Sequence, residues 1–191
     1  MPPPDFAAQR QTMVDSQVRV SDVTDLNIQT AMRTVPREVF CPPAQSYFAY
    51  ADAEIEYAPG RWLLRPRDVA KLLQAVRPRA GESALAIAAP YAAAVLQALG
   101  LTVTQSEGGE LAAAAAGQFD LVVCEGAVAQ TPAAWIEALA PGGRLGVVVR
   151  DGPIGALRLY RRGPDGVGSR AVFDAAPPIL AGFEAKAGFV F

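Results

Sequence analysis

From Pro66 onward, short apolar runs alternate with stretches of helical spacing, and few folds accommodate that rhythm. Ser83 to Ala88, Leu101 to Gln105, Phe119 to Glu125 (FDLVVCE) and Arg144 to Val149 read as strands, each too short for a helix and bounded by turn residues. Pro66 to Val76, Tyr91 to Leu99 and Thr131 to Leu139 read as helices; Gly100 closes the second, and Pro141-Gly142-Gly143 turns the third into the next strand. Apolar strands joined by helices are connected economically by right-handed crossovers within a parallel sheet. The tail then changes character, because Leu157 to Arg162 and Gly168 to Phe173 flank the turn Gly163-Pro164-Asp165-Gly166, an antiparallel hairpin. The expected class is α/β: an open, mostly parallel sheet with helices on both faces and a hairpin at one edge.

Ahead of this core, Asp5 to Val20 reads as a helix with an apolar stripe of Phe6, Met13, Val14 and Val18. A second helix starts near Thr24-Asp25 and stops at Pro36, and Cys41 to Tyr57 reads as an irregular covering segment with Tyr47, Phe48, Tyr50 and Tyr57 among prolines. The organisation expected over residues 1–191 is one domain, with an arm and covering segment over 1–60 and the sheet over 61–191.

The chain contains no histidine, which excludes Ser-His-Asp and Cys-His catalysis and histidine-ligated zinc. Two cysteines, Cys41 and Cys124, make neither a disulfide scaffold nor a four-cysteine metal site, so no metal is expected and both read as reduced thiols of a cytoplasmic protein. A net charge of −2 argues against general nucleic-acid binding. No apolar run approaches the ~20 residues of a membrane span, and Met1 to Arg10 lacks the apolar stretch of a signal peptide.

The stretch FDLVVCEGAV followed by LAPGGRLGVVV resembles the fourth and fifth strands of class I S-adenosylmethionine-dependent methyltransferases. MVDSQVR, AMRTVPREVF and GRWLLRPRDVAKLLQAV are similar to segments of the protein-L-isoaspartate O-methyltransferase family, over nearly the whole chain. The resemblance implies a Rossmann-like fold, S-adenosylmethionine as cofactor, and a protein or peptide substrate. The implied reaction is methyl transfer to an isoaspartyl carboxylate, followed by cyclisation to a succinimide. That chemistry depends on proximity and alignment more than on acid–base groups, so the absence of histidine does not oppose it.

The family carries a glycine-rich loop after the first strand. Here the matching segment is Leu85 to Tyr91, with Ala86 at the acidic position and Ala88, Ala89 and Pro90 in place of glycines. Alanine methyls occupy space that a cofactor needs, and Pro90 has no N–H to donate. The cofactor positions implied by the resemblance are Ala88, Ala89, Tyr91, Glu107, Glu125 and Gly126. Ser106 takes the place of the ribose-binding acid; Glu107, one residue on, is either its substitute or a solvated turn carboxylate. The family's substrate-side hydroxyl position is Leu64, within Trp62-Leu63-Leu64-Arg65-Pro66, and Trp62 is a candidate plug for the cofactor space. Arg65 and Arg67 either contact a carboxylate or are solvated.

The passage from the alanine tract at Ala112 to Ala116 into Phe119 leaves no room for the third strand that the family would place there. The Leu101 to Gln105 strand should therefore be an edge strand, and its free edge offers a route to a homodimer. Three functions stay open at this point: an active protein-carboxyl methyltransferase, a catalytically inactive member serving as a protein-binding or assembly module, and a binder of another small molecule in the same cleft.

Overall fold

A computed structural model describes residues 4–107, 111–113 and 117–185. It contains a six-stranded sheet in which an open parallel region ends in an antiparallel hairpin, as the alternating pattern requires. Helix α1 (Phe6–Met13) starts where the Asp5 carboxylate accepts the Ala8 N–H at 3.0 Å. Its path continues through a π turn at Val14–Val18 and a 3₁₀ turn at Arg19–Ser21, and ends at Asp22, whose φ is 62°. Helix α2 (Leu26–Thr34) is capped by Asp25, which accepts the N–H groups of Asn27 and Ile28.

Residues 41–57 hold more regular structure than their sequence suggests. After 3₁₀ turns at Arg37–Phe40 and Pro43–Phe48, strands β1 (Ile55–Ala58) and β2 (Arg61–Leu63) form a small antiparallel hairpin around Gly60. It is too short to show a strand period, and the prolines before it mask it further.

Helix α3 (Pro66–Val76) leads to β3 (Ser83–Ile87), α4 (Pro90–Ala98), β4 (Thr102–Ser106), β5 (Phe119–Val128), α5 (Ala133–Glu137), β6 (Leu139–Asp151), β7 (Ile154–Gly163) and β8 (Gly166–Asp174). The strand order is β4-β3-β5-β6-β7-β8, parallel from β4 to β6 and antiparallel from β6 to β8. Among the described residues no strand lies beyond β4, which is the edge expected from the shortened β4–β5 connection. Of the alanine tract, Ala112 lies in a turn and Ala113 in a bend, and Ala114 to Ala116 lie outside the described residues.

The helix expected from Thr131 to Leu139 is only five residues long. Strand β6 begins at Leu139 and absorbs Pro141-Gly142-Gly143 as a bulge, because Leu139 pairs with Phe119 before the register slips to Arg144 opposite Leu121.

The two faces of the sheet are covered unequally. Ala84, Ala86, Leu121, Val123 and Leu157 pack beneath α1 to α4 in one cluster. On the other face, Leu85, Ile87, Val122, Leu145 and Val147 pack beneath α5, the turn at Leu111 and the C-terminal tail. Fully buried Trp135 links that thinner layer, donating from its indole Nε1 to the Leu111 carbonyl at 2.7 Å.

Helix α3 sits directly on β6 at Gly146. A Cβ there would lie 2.9 Å from Val76 Cγ1 and closer still to Leu72 Cδ1. Gly146→Val should therefore destabilise the protein by ~1–3 kcal/mol through overpacking, read as a lower urea midpoint.

Candidate functional site

In an open α/β sheet, ligands bind beyond the carboxyl ends of the strands, where the connections diverge. The chain runs from β3 outward to β4 and then back across β3 to β5, so the divergence lies between β3 and β5. The residues picked out in the sequence do converge there. Ala88 and Ala89 follow β3, Tyr91 lies in the first turn of α4, Glu107 follows β4, and Glu125 and Gly126 lie in β5.

The convergence is closed by the chain itself. Ala88, Ala89, Tyr91 and Glu125 are all fully buried. Glu125 lies where the β5–β6 register slips between Val123 and Ala127, a bulge that Gly126 permits with a φ of 131°. One carboxylate oxygen of Glu125 accepts the Ala92 N–H at 2.6 Å and the other accepts the Leu64 N–H at 3.1 Å. Helix α4 has no side-chain cap from its own N-cap residue, Ala89, so Glu125 supplies the negative charge that a helix N-terminus attracts. The anion seat of the cleft is thus filled from within.

Leu64 is gripped from its other side by Arg37. This fully buried guanidinium donates to the Leu64 carbonyl at 2.6 Å and to the Ala49 carbonyl at 2.8 Å, and stacks over the Tyr91 ring at 4.9 Å. Its neighbour Glu38 accepts from Arg10 and Tyr50 on the arm. The VPREVF segment therefore fastens the N-terminal arm to the loop entering α3.

Glu107 is neither a solvated turn residue nor a carboxylate free for a ribose. It is half-buried, and its two oxygens accept the Ala89 N–H at 3.1 Å and the Tyr57 hydroxyl at 2.6 Å. Tyr57, on β1, reaches across the cleft to make that bond. Burial is the main cause that raises the Glu107 carboxyl, opposed by both of these donors. The Tyr57 hydroxyl is raised too, by burial and then by its carboxylate partner.

A third closure comes from the tail. Leu180 donates its N–H to the Ala127 carbonyl at 2.8 Å, and its side chain lies where a Cβ at Gly126 would need to be. Trp62, expected as the plug, is only half-buried, whereas its neighbours Leu63 and Leu64 are fully buried. Arg65 and Arg67 pair with the chain's own Glu54 and Asp52, at 2.8 and 3.4 Å.

Sequence reasoning missed Arg37, Tyr57 and Leu180 as parts of this site. Arg37 sat inside a recognised motif and Tyr57 among noted aromatics, whereas nothing local marks Leu180. Both cysteines are buried and unbonded. Among the described residues, no group of acidic or cysteine side chains is arranged to hold a metal, and no helix is long and apolar enough to cross a membrane.

These features define a class: a methyltransferase-type Rossmann-like fold with its cleft at the β3–β5 divergence. Solved structures agree on the fold. A candidate protein-L-isoaspartate O-methyltransferase from Plasmodium falciparum, in complex with S-adenosyl-L-homocysteine, superposes with a TM-score of 0.71 at 13% identity, covering 90% of this chain and 97% of that one. A second protein-L-isoaspartate O-methyltransferase gives 0.70 at 16% identity, over 91% and 66%.

No family model matches the chain. Curated relatives do. The protein-L-isoaspartate O-methyltransferase of Methylorubrum extorquens is 35% identical over 95% of this chain and 92% of its own length; that of Methylorubrum populi is 33% identical over 92% and 96%. The chain belongs to the protein-L-isoaspartate O-methyltransferase family. The first alignment runs to 215 positions against a chain of 191, so the relative carries residues that this chain lacks.

Burial pushes the Glu125 carboxyl up to about 7 from 4.5, opposed by the Arg37 charge and the two backbone donors. A carboxyl raised in the folded state contributes stability that is complete below pH 4.5 and lost as the pH rises to about 7. The loss amounts to about 3 kcal/mol. Urea titrations should show Glu125→Gln losing ~2–3 kcal/mol less stability than the native chain across that window.

Proposed function

We propose that this chain keeps its family's kind of partner, a protein or peptide, and binds it without transferring a methyl group. The observation that carries this reading is the Glu125 carboxylate, fully buried and satisfied by the N–H groups of Leu64 and Ala92. The residues present do not fit S-adenosylmethionine. The helix N-terminus that would face the donor already has its anion. The β3–α4 loop carries two buried alanine methyls and Pro90, and Ala88 holds a φ of 45°, a backbone state that favours glycine. The acid next to the ribose position is committed to Ala89 and Tyr57. No step of methyl transfer is therefore assigned to any residue of this chain, including Leu64, which offers no hydroxyl.

The competing reading is the activity its relatives are named for, O-methylation of isoaspartyl residues. Identity of 35% across nearly the whole chain supports it, and nothing in the comparisons favours the non-catalytic reading over it. What favours the latter is the packing of this chain's own residues. The two buried, unbonded cysteines suit the reducing cytoplasm. The free edge of β4 supports self-association as a homodimer.

Calorimetric titration with S-adenosyl-L-homocysteine, alongside an isoaspartyl-peptide methylation assay, separates the two readings. The expected result is no saturable heat at sub-millimolar ligand and no labelled methyl ester. Micromolar binding, or turnover of the peptide, would establish the methyltransferase reading.

A further inference from the structure

A groove remote from the cleft lies at the other end of the sheet, beside the amino ends of the parallel strands. It encloses about 720 Å³ between the end of α3 and the β7–β8 hairpin, and Arg77, Arg79, Arg144, Arg161 and Arg170 line it together with Asp165. A second groove of about 760 Å³ shares Ala75, Arg77, Arg79 and Arg170 with it, so the two form one trough continuing along β8 towards Lys71 and Phe173. Asp22 and Asp25 border that far end, where Asp25 is engaged in capping α2.

Of these arginines, Arg144 is occupied. It pairs with Glu82 at 2.8 Å and donates to the Val76 and Arg77 carbonyls that end α3. That contact neutralises the negative end of the helix, which would otherwise attract the neighbouring guanidinium groups. Arg77, Arg79, Arg161 and Arg170 are exposed, and none makes a salt bridge among the described residues. The concentration is unusual for a chain of net charge −2. Residues 150–174 hold five arginines against three aspartates.

We propose that this trough binds an extended acidic segment of a partner protein, with its carboxylates set against Arg77, Arg79, Arg161 and Arg170. The four cations stand on two elements flanking a long depression, a spacing that suits charges repeated along a chain. A single phosphate would instead be met by donors converging from one turn. The outer strand β8 adds a free backbone edge beside the trough, which an extended segment can pair with. The site is remote from the closed cleft, so its test is independent of the donor titration.

The test is fluorescence anisotropy of a labelled alternating Asp/Glu octapeptide on the full chain at low salt. Saturable binding is expected, weakened at least ~10-fold by the double variant R161E/R170E. R158E is the control, because Arg158 is also exposed but lies on the opposite face of the same hairpin, and it should weaken binding less than ~3-fold. Circular dichroism checks that each variant is folded. Three results would overturn the proposal: no saturable binding, equal losses in R158E and the double variant, or displacement of the peptide by tripolyphosphate or single-stranded RNA at lower concentration than by unlabelled peptide.

Discussion

The peptide of Leu64 is held from both sides by buried charges, and the closed cleft follows from that grip. Glu125 accepts its N–H and Arg37 donates to its carbonyl. Each ion alone would be costly to bury, since an isolated charge removed from water loses several kcal/mol of solvation. Together they attract one another; Glu125 also accepts two backbone N–H groups, and Arg37 donates to two backbone carbonyls while its buried Nη1 has no partner among the described residues. Four regions meet at that one residue: the arm through Arg37, the loop before α3 through Leu64, the first turn of α4 through Ala92, and the centre of the sheet through Glu125. Removing Glu125 would leave the buried Arg37 guanidinium without its facing carboxyl, and removing Arg37 would push the Glu125 carboxyl further up, since that charge is what most opposes its burial.

On the non-catalytic reading, the same arrangement would let a family fold persist without a donor site. Parallel α/β sheets leave an opening at the divergence of the strands, with a helix N-terminus facing it. An empty opening would expose orphan N–H groups and apolar side chains. Here Glu125 takes the helix terminus, Glu107 and Tyr57 bridge the loop, and Leu180 covers Gly126. Alanine at 89 then adds buried apolar area where no ligand has to approach, whereas Ala88 keeps a positive φ that favours glycine. Among the described residues β4 ends the sheet, and the Leu111 carbonyl, in the connection after it, accepts from Trp135.

The strands were legible because apolar runs such as FDLVVCE report burial on both faces of a sheet. The hairpin after residue 150 was legible from its turn chemistry, and the family from motifs spread along the chain. Other features depend on tertiary context. The β1–β2 hairpin is stabilised by what it covers, and the bulge at Pro141-Gly142-Gly143 arises from strand pairing that no local signal encodes. At the site, the alanines at 88 and 89 announced that the loop had changed. The roles of Glu107 and Glu125 did not show, because a carboxylate that binds a ligand and one that binds its own backbone look alike in sequence. Leu180 lies more than fifty residues along the chain from the glycine it packs on, beyond the reach of any pattern.

Amide hydrogen exchange at Leu64, Ala89 and Ala92 tests the account most directly, since the carboxylates of Glu125 and Glu107 hold these three N–H groups. The account predicts slow exchange at all three, close to the global unfolding limit, and unchanged by millimolar S-adenosylmethionine. Fast exchange at these amides in the free protein, or protection that appears only when S-adenosylmethionine is added, would show that the cleft is open to a donor and would contradict it.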